Sequence, residues 1–327
     1  MKQRKLGATG PEVGALGLGC MSFGGLTGPT NEADSFAVMD RAWDMGMTHF
    51  DTANIYGPHT SEAVMGRWLA ARGHKPSIAT KASITRDAAH PISNDPAYLE
   101  AELEGSFKRL GVDYVDLFYI HRREPAVPVE DVAGFMGRMI DAGKIGGWGM
   151  SEISPTTLRQ GHAETPVSAV QNEYSLWTRQ PELGLLQECG RLGVAFIPFS
   201  PLARGVFGRS VIDPAHPDFG AFRLEMPRFQ APNWEQNKSR AQAFQALAAE
   251  YGHSAPAMAL AWLLDQGDHV IPIPGSRTAA HVGDWEGADK IDMTPDLIAN
   301  IDAILPVGWA WGDRYSEGQS KAPERYC

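Results

Sequence analysis

Apolar positions along the chain fall into two alternating patterns. Stretches with an apolar residue every three or four positions read as amphipathic helices, and short dense apolar runs between turn residues read as strands. Helices are predicted at 30–46, 61–72, 97–110, 129–142, 154–162, 181–192, 236–251, 254–266, 278–287 and 295–305. Strands are predicted at 15–19, 48–50, 77–80, 115–120, 145–149, 168–171, 194–199 and 269–273. In the first helix Phe36, Met39 and Trp43 share a face and Gly46 ends it; in the second Val64, Trp68 and Leu69 point inward. Ahead of them, 3–6 and 13–15 flank Gly7, Gly10 and Pro11, a hairpin signature. Strict β/α alternation implies a parallel sheet, and eight such units are the number that closes a barrel. The expected fold is therefore α/β, a (β/α)8 TIM barrel, one domain over 1–327, with the N-terminal hairpin plugging its bottom.

Two stretches break the rhythm: 202–235, rich in Pro, Gly, Phe and Arg, and the tail 306–327. Long irregular segments in a compact domain are usually functional or disordered, and their places after element ends favour a substrate lid. Phe23, Phe207, Trp309, Trp311 and Tyr315 could line its mouth, although ordinary loop packing explains any single one as well.

The net charge of -10 repels phosphate backbones and anionic lipid heads, which argues against nucleic acid or membrane as partner. Cys20, Cys189 and Cys327 are too few and scattered for a disulfide framework or a zinc site and suit a reducing compartment. The charged N-terminus is followed by no apolar h-region, and no run is long enough to span a bilayer. A cytoplasmic protein acting on a small molecule is expected; nothing indicates the oligomeric state.

Four predicted strands run into polar residues: Asp51, Lys81, His121 and Gln171. In a (β/α)8 barrel these strand ends form one rim, so residues distant in sequence converge there, and Tyr56 stands just past Asp51. A tyrosine holds its proton at neutral pH, and a neighbouring ammonium lowers its pKa. An aspartate fixes the ammonium, and a histidine can donate to a carbonyl oxygen. Together they form a proton donor and an oxyanion site, as carbonyl reduction needs, while the hydride must come from a cofactor. Singly each has a plainer explanation: a structural ion pair for Asp51 and Lys81, a core histidine, a packed tyrosine.

The segments Asp51-Thr-Ala-Asn-Ile-Tyr56-Gly57, Ala-Thr-Lys81 and Leu-Phe-Tyr-Ile-His121 resemble the aldo-keto reductase signature. The similarity covers nearly the whole chain, from Leu6-Gly-Ala-Thr-Gly10 and Leu16-Gly-Leu-Gly19 through Leu110-Gly-Val-Asp-Tyr-Val-Asp-Leu117 to Pro272-Ile-Pro-Gly-Ser276. Gly149-Met-Ser151-Glu152, Gln171-Asn-Glu-Tyr174-Ser175 and Met226-Pro-Arg-Phe229 look most like the bacterial and fungal branch that includes pyridoxal reductases. The resemblance implies an NADP(H)-dependent enzyme reducing aldehydes or ketones reversibly. It makes Tyr56 the general acid, Asp51 and Lys81 its tuning pair, and His121 the residue that orients the carbonyl. It further implies that Met21 and Asp51 face the cofactor, that Ser151 and Gln171 hold the nicotinamide carboxamide, and that Phe199 stacks on the ring. Ser200, Pro201 and Leu202 would run beside the pyrophosphate; Gly275, Ser276, Arg277, His281, Asp284 and Trp285 would meet the adenosine phosphate and adenine. Phe23, Trp309 and Trp311 would border the substrate. No metal is implied.

One departure bears on the cofactor. Where relatives often place Glu-Asn near the adenine, this chain has Asp284 and Trp285, and His281 stands where a basic residue or glutamine is common. Arg277 is left as the strong cation for a 2′-phosphate, so NAD(H) is an alternative to NADP(H). Three rival readings are weaker. Gly17-Leu-Gly19-Cys-Met-Ser22 nearly matches a Rossmann fingerprint but lacks the third glycine and opens no helix. A cofactor-binding redox sensor of the same fold, as potassium-channel β-subunits are, would show little turnover. A metal-dependent hydrolase would need clustered ligands, and no H-x-H pair is present.

Overall fold

The computed structural model describes residues 1–26, 28–216 and 219–324. The hairpin comprises β1 (Gln3–Lys5) and β2 (Glu12–Gly14), antiparallel to one another. Then come β3 (Leu18–Gly19), α1 (Glu32–Asp44), β4 (His49–Asp51), α2 (Thr60–Arg72), β5 (Ser77–Ala82) and α3 (Pro96–Leu110). They are followed by β6 (Leu117–Ile120), α4 (Val129–Asp141), β7 (Trp148–Ser151), α5 (Pro155–Glu164), β8 (Ala169–Gln171), α6 (Leu185–Leu192) and β9 (Ala195–Phe196). The C-terminal part carries α7 (Ala221–Leu224), α8 (Asn233–Glu250), α9 (Ala255–Leu264), α10 (Ala279–Gly283) and α11 (Pro295–Ile304).

β3 to β9 form one parallel sheet in sequential order. The predicted eighth barrel strand is present as an extended segment. The Ile271 and Ile273 amides donate to the carbonyls of Phe196 and Pro198 at 2.8 and 3.1 Å, while the carbonyls of Pro272 and Pro274 accept from Gly17 and Gly19 at 2.9 Å each. These bonds join the two edges of the sheet into a closed barrel. Regular pairing with β3 fails because Pro272 and Pro274 have no N–H to return. The helix predicted at 181–192 is also interrupted: a 3-10 turn at Gln180–Leu183 meets α6 at Gly184, whose φ of 136° is outside the helical region.

The helices start where short polar side chains can cap them. Asn31, Asp95, Ser154, Ser254, Thr278 and Thr294 each accept a backbone N–H of the following first turn, a contact that contributes about 0.5–2 kcal/mol. The buried face of α1 is Ser35, Val38, Met39 and Ala42, so Phe36 and Trp43 are only half-buried. The indole of Trp43 stacks on His74 with ring centres 4.5 Å apart. In α2, Val64 and Trp68 are buried as predicted and Leu69 only partly.

The core has two layers. Inside the barrel, Ala79, Leu117, Tyr119, Ala169, Ala195, Ile197, Ile271 and Ile273 pack together, and Leu6 and Val13 of the hairpin join them. Gly7 lies so close to Ser168, just before β8, that a Cβ would sit 2.4 Å from its carbonyl oxygen. The hairpin therefore closes the end where the strands begin, and the opposite rim is left for chemistry. The larger apolar cluster fills the shell between strands and helices. Cys20 and Cys189 are buried free thiols; Cys327 lies outside the described residues. Among the described residues no helix is long and apolar enough to cross a membrane.

Candidate active site

Side chains alternate across a strand, so residues two apart share a face. On β5, Ala79 points into the barrel and Thr80 outward to Glu62 of α2, at 2.5 Å, which turns Lys81 inward at the rim. On β6, Leu117 and Tyr119 are interior, which places His121 above them. The same alternation brings Asp51 on β4, Ser151 on β7 and Gln171 on β8 to that level. All five are buried. Gly149 makes room for this stack, because a Cβ there would meet the Tyr119 ring at 2.4 Å.

The geometry joins the four predicted catalytic residues. The Lys81 ammonium is ion-paired with Asp51, donates to the Thr52 carbonyl at 2.7 Å and reaches the Tyr56 hydroxyl at 3.4 Å. The other Asp51 oxygen accepts from the Gln171 amide at 2.9 Å. The Tyr56 ring stands edge-on to His121, with centres 5.7 Å apart. Burial pulls the Lys81 ammonium down, but Asp51 and Tyr56 more than offset it, so it stays charged. Burial pushes the Tyr56 phenol up and outweighs the opposing pull of Lys81. Lys81 pulls the phenol down as the sequence suggested, but burial outweighs it, and Tyr56 keeps its proton. Burial, with Arg122 and Lys81 adding to it, holds His121 well below its usual range and therefore neutral, and its buried Nδ1 has no hydrogen-bond partner. The set contains a protonated phenol beside a fixed ammonium and a neutral imidazole, which suits proton donation to a carbonyl oxygen.

The loop bearing Tyr56 is held by close backbone contact. Gly57, at φ 67°, lies against Gly24 at the end of the 3-10 turn Met21–Gly24, and a Cβ on Gly57 would meet the Gly24 Cα at 2.4 Å. That turn contains Met21, half-buried, and Phe23, which is buried in the core.

A second charged layer was not foreseen. Glu152, next to Ser151 and in the left-handed region at φ 58°, pairs with Arg314 of the tail at 2.5 Å. Glu173, two residues beyond Gln171, pairs with Arg204 at 2.5 Å and Arg314 at 3.4 Å and accepts from Thr178 at 3.0 Å. Glu324 accepts from the Ser154 amide at 2.7 Å and from the Thr157 hydroxyl, and its own amide donates to the Glu152 carbonyl at 3.0 Å. Arg204 and the tail residues Arg314 and Glu324 are thus fixed behind Ser151 and Gln171. Acidic residues following two strand ends were the available sign; nothing local marks Arg314 or Glu324 as their partners.

The remaining predicted residues divide. Phe199 sits half-buried at the top of the barrel interior. Ser200, Ala203, Arg204 and Gly205 all have positive φ, at 50°, 51°, 57° and 103°. For the three non-glycine residues this costs on the order of 1–3 kcal/mol each and is typical of loops shaped for a ligand. Pro201 is buried and Leu202 half-buried in that turn. The backbones of Gly19 and Gly275 are in contact, and a Cβ on Gly275 would lie 2.7 Å from the Gly19 oxygen. The Ser276 hydroxyl donates to the Thr278 carbonyl at 2.9 Å, Arg277 is half-buried and His281 exposed. Asp284 is ion-paired with Arg209 of the irregular segment after β9. Trp285 is only 2% exposed and packs in the core, so it has no free face for an adenine, contrary to expectation. Trp309 is likewise a packing residue. Its indole N–H donates to the Leu176 carbonyl at 2.6 Å and its ring lies against Trp177 and Phe207. Phe207 and Tyr315 are buried as well, whereas Trp311 is 54% exposed with its amide held by Asn237 at 2.9 Å. Among the described residues no group of three or more His, Cys, Asp or Glu could hold a metal ion.

The family description "Aldo/keto reductase family" matches residues 15–306. The chain belongs to the aldo/keto reductase family. It is 37% identical over 330 residues to "Probable aldo-keto reductase 1" of Glycine max, covering 99% of this chain and 94% of that one. Among solved structures it is similar to the glycerol dehydrogenase AKR11B4 from Gluconobacter oxydans. That likeness has a TM-score of 0.83 and 27% identity, over 93% of this chain and 94% of the other. An aldo/keto reductase is an oxidoreductase of small-molecule carbonyls that uses a nicotinamide cofactor, and the barrel found here is the fold of the family. The pyridoxal-reductase branch suggested by the sequence remains a resemblance.

Proposed function

We propose that this aldo/keto reductase converts aldehydes or ketones to alcohols, reversibly, with Tyr56 as the proton donor and NADP(H) as the favoured cofactor. The observation that carries this reading is the buried Asp51–Lys81–Tyr56 chain with the His121 ring at its open end. When bound, the reduced nicotinamide supplies a hydride to the carbonyl carbon. Ser151 and Gln171 would hold its carboxamide: the Ser151 hydroxyl accepts from Arg122 at 3.1 Å and keeps its own proton to donate. Phe199 would give the ring an apolar face, and the positive-φ turn from Ser200 to Gly205 would follow the pyrophosphate, with Arg277 at the adenosine end.

On the protein side, neutral His121 donates a hydrogen bond to the carbonyl oxygen and aims it at Tyr56. As negative charge builds on that oxygen, the Tyr56 O–H proton passes to it. The resulting phenolate is stabilised by the Lys81 ammonium 3.4 Å away, which Asp51 keeps in place. Solvent then returns a proton to Tyr56. In oxidation the same steps run backward.

Tyr56→Phe tests the proposal. The variant should bind NADPH as wild type does, by quenching of protein fluorescence, and lose nearly all turnover across a panel of aldehydes. Retention of a substantial fraction of turnover would remove Tyr56 from the role, and no turnover by wild type would favour a cofactor-binding sensor. Cofactor choice is tested separately by Arg277→Ala, which should weaken NADPH by about one to two decades and NADH little. Equal weakening of both would displace Arg277 from the 2′-phosphate.

A further inference from the structure

Arg122 follows His121 directly and reaches back across the rim. Its Nη1 donates to the His121 carbonyl at 2.6 Å and to the Ser151 hydroxyl at 3.1 Å. Both bonds leave from one nitrogen. Nε and Nη2 have no protein acceptor among the described residues, and neither is sealed from solvent. Nor, among the described residues, does any carboxylate lie within ion-pair distance of this guanidinium.

The free edge is the one that grips carboxylates elsewhere in this chain. Arg67 holds Glu32, Arg72 holds Asp40, Arg191 holds Glu188 and Arg209 holds Asp284, each through Nε and Nη2 together. A guanidinium matches the two oxygens of a carboxylate or phosphate along that edge. The surrounding charges leave Arg122 uncompensated: Lys81 is matched by Asp51, and Arg314 and Arg204 by Glu152 and Glu173. Its bonds to the His121 carbonyl and the Ser151 hydroxyl set it at the same rim as the candidate catalytic residues, and its charge helps to keep His121 neutral. A positive group at the mouth of a chain of net charge -10 is a local exception that would gather anions.

We propose that Arg122 binds an oxyanion of the substrate, and that the carbonyl compounds this enzyme prefers carry a carboxylate or phosphate. This rests on the reading of Tyr56 and His121 as the carbonyl site. The Nε–Nη2 edge holds the anionic group while the carbonyl oxygen lies between His121 and Tyr56. No bond is made or broken at Arg122, so it is a specificity residue.

The test compares 4-carboxybenzaldehyde with 4-carbamoylbenzaldehyde, which have nearly the same shape and differ in charge. Wild type should favour the carboxylate in kcat/KM, through KM, and lose that preference as ionic strength rises. Arg122→Gln should reduce the ratio of the two kcat/KM values by about 10- to 100-fold, the worth of a charge-assisted hydrogen bond. Arg122→Lys, which keeps the charge without the fork, should fall between. Calorimetric titration of 4-carboxybenzyl alcohol into the enzyme–NADPH complex should weaken by the same factor in the Gln variant. A fall in kcat/KM for both aldehydes with the ratio unchanged would overturn the proposal and make Arg122 a positioning residue acting through Ser151. If wild type turned over neither aldehyde, the catalytic reading would fail. The titration would still decide the anion site, because unaltered binding to the Gln variant would refute it.

Discussion

Replacing Gly57 by alanine separates backbone strain from loop placement. Gly57 and Gly73 have nearly identical left-handed conformations, φ 67° and 66°. An alanine in that region costs about 1–2 kcal/mol at either position. Their surroundings differ. At Gly73, an exposed C-cap of α2, a Cβ would meet nothing within 4 Å; at Gly57 it would lie 2.4 Å from the Gly24 Cα and 2.6 Å from the Gly24 oxygen. Ordinary contact begins at 3.4 Å, so the two loops must part by roughly 1 Å, a displacement that costs on the order of 100-fold when reacting groups are misplaced by it. Tyr56 is the adjoining residue and should move with the loop. Gly57→Ala should lose more stability than Gly73→Ala in a denaturant melt, because the clash adds to the shared backbone strain, and kcat, measured on one aldehyde at saturating NADPH, should fall about 10- to 100-fold in Gly57→Ala alone. If kcat of Gly57→Ala stays within about threefold of Gly73→Ala, the Gly24 contact does not position the phenol.

Other expectations follow from the buried charges and from the tail. Burial holds His49 down to about 4 and His121 below its usual range. An unfolded histidine binds a proton below about 6.5, so acidification from there toward 4 favours the unfolded state, by up to about 3 kcal/mol for His49. The denaturation midpoint of wild type should therefore fall more steeply between pH 7 and pH 4.5 than that of His49→Gln, and parallel curves would count against this. Arg314→Met leaves Glu152 and Glu173 short of a buried partner and should lower stability by about 3–5 kcal/mol in a denaturant melt; a change under about 1 kcal/mol, as for an exposed pair, would show that the network is solvated. Because Trp309 packs in the core, truncation before it should impair small and bulky aldehydes alike and lower the melting temperature. A rise in KM confined to bulky aldehydes would restore it to the substrate mouth.

The sequence exposes whatever is written in short-range patterns. Alternating helix and strand periodicities were enough for the barrel, and polar residues at four strand ends for Asp51, Lys81, His121 and Gln171, because a barrel's geometry makes strand ends converge. Helix boundaries agreed to a few residues where a capping side chain was visible, as at Asn31 or Ser254. Long-range interactions left no such mark. The pairing of Arg314 with Glu152 joins residues 162 apart, and that of Arg209 with Asp284 joins residues 75 apart. Aromatic residues in loops were ambiguous for the same reason: Trp309 and Trp311 are two positions apart, yet one is 6% exposed and the other 54%. The net direction of the Tyr56 shift also could not be read, since it depends on how deeply the phenol is buried against how near the ammonium lies.

The ionic frame behind Ser151 and Gln171 also has a bearing on biosynthesis. Glu152 and Glu173 are made well before their counter-charge Arg314, and the carboxylate of Glu324, which accepts from Ser154, follows later still. A nascent chain could therefore close its barrel seam at 269–274 while the loop after Ser151 still lacked its anchors. Such a chain would hold the loop after Ser151 loosely, and a ribosome stalled before residue 314 would display a folded barrel with that loop unanchored. Synthesis of the segment that carries Arg314 and Glu324 would then be the step that fixes this loop.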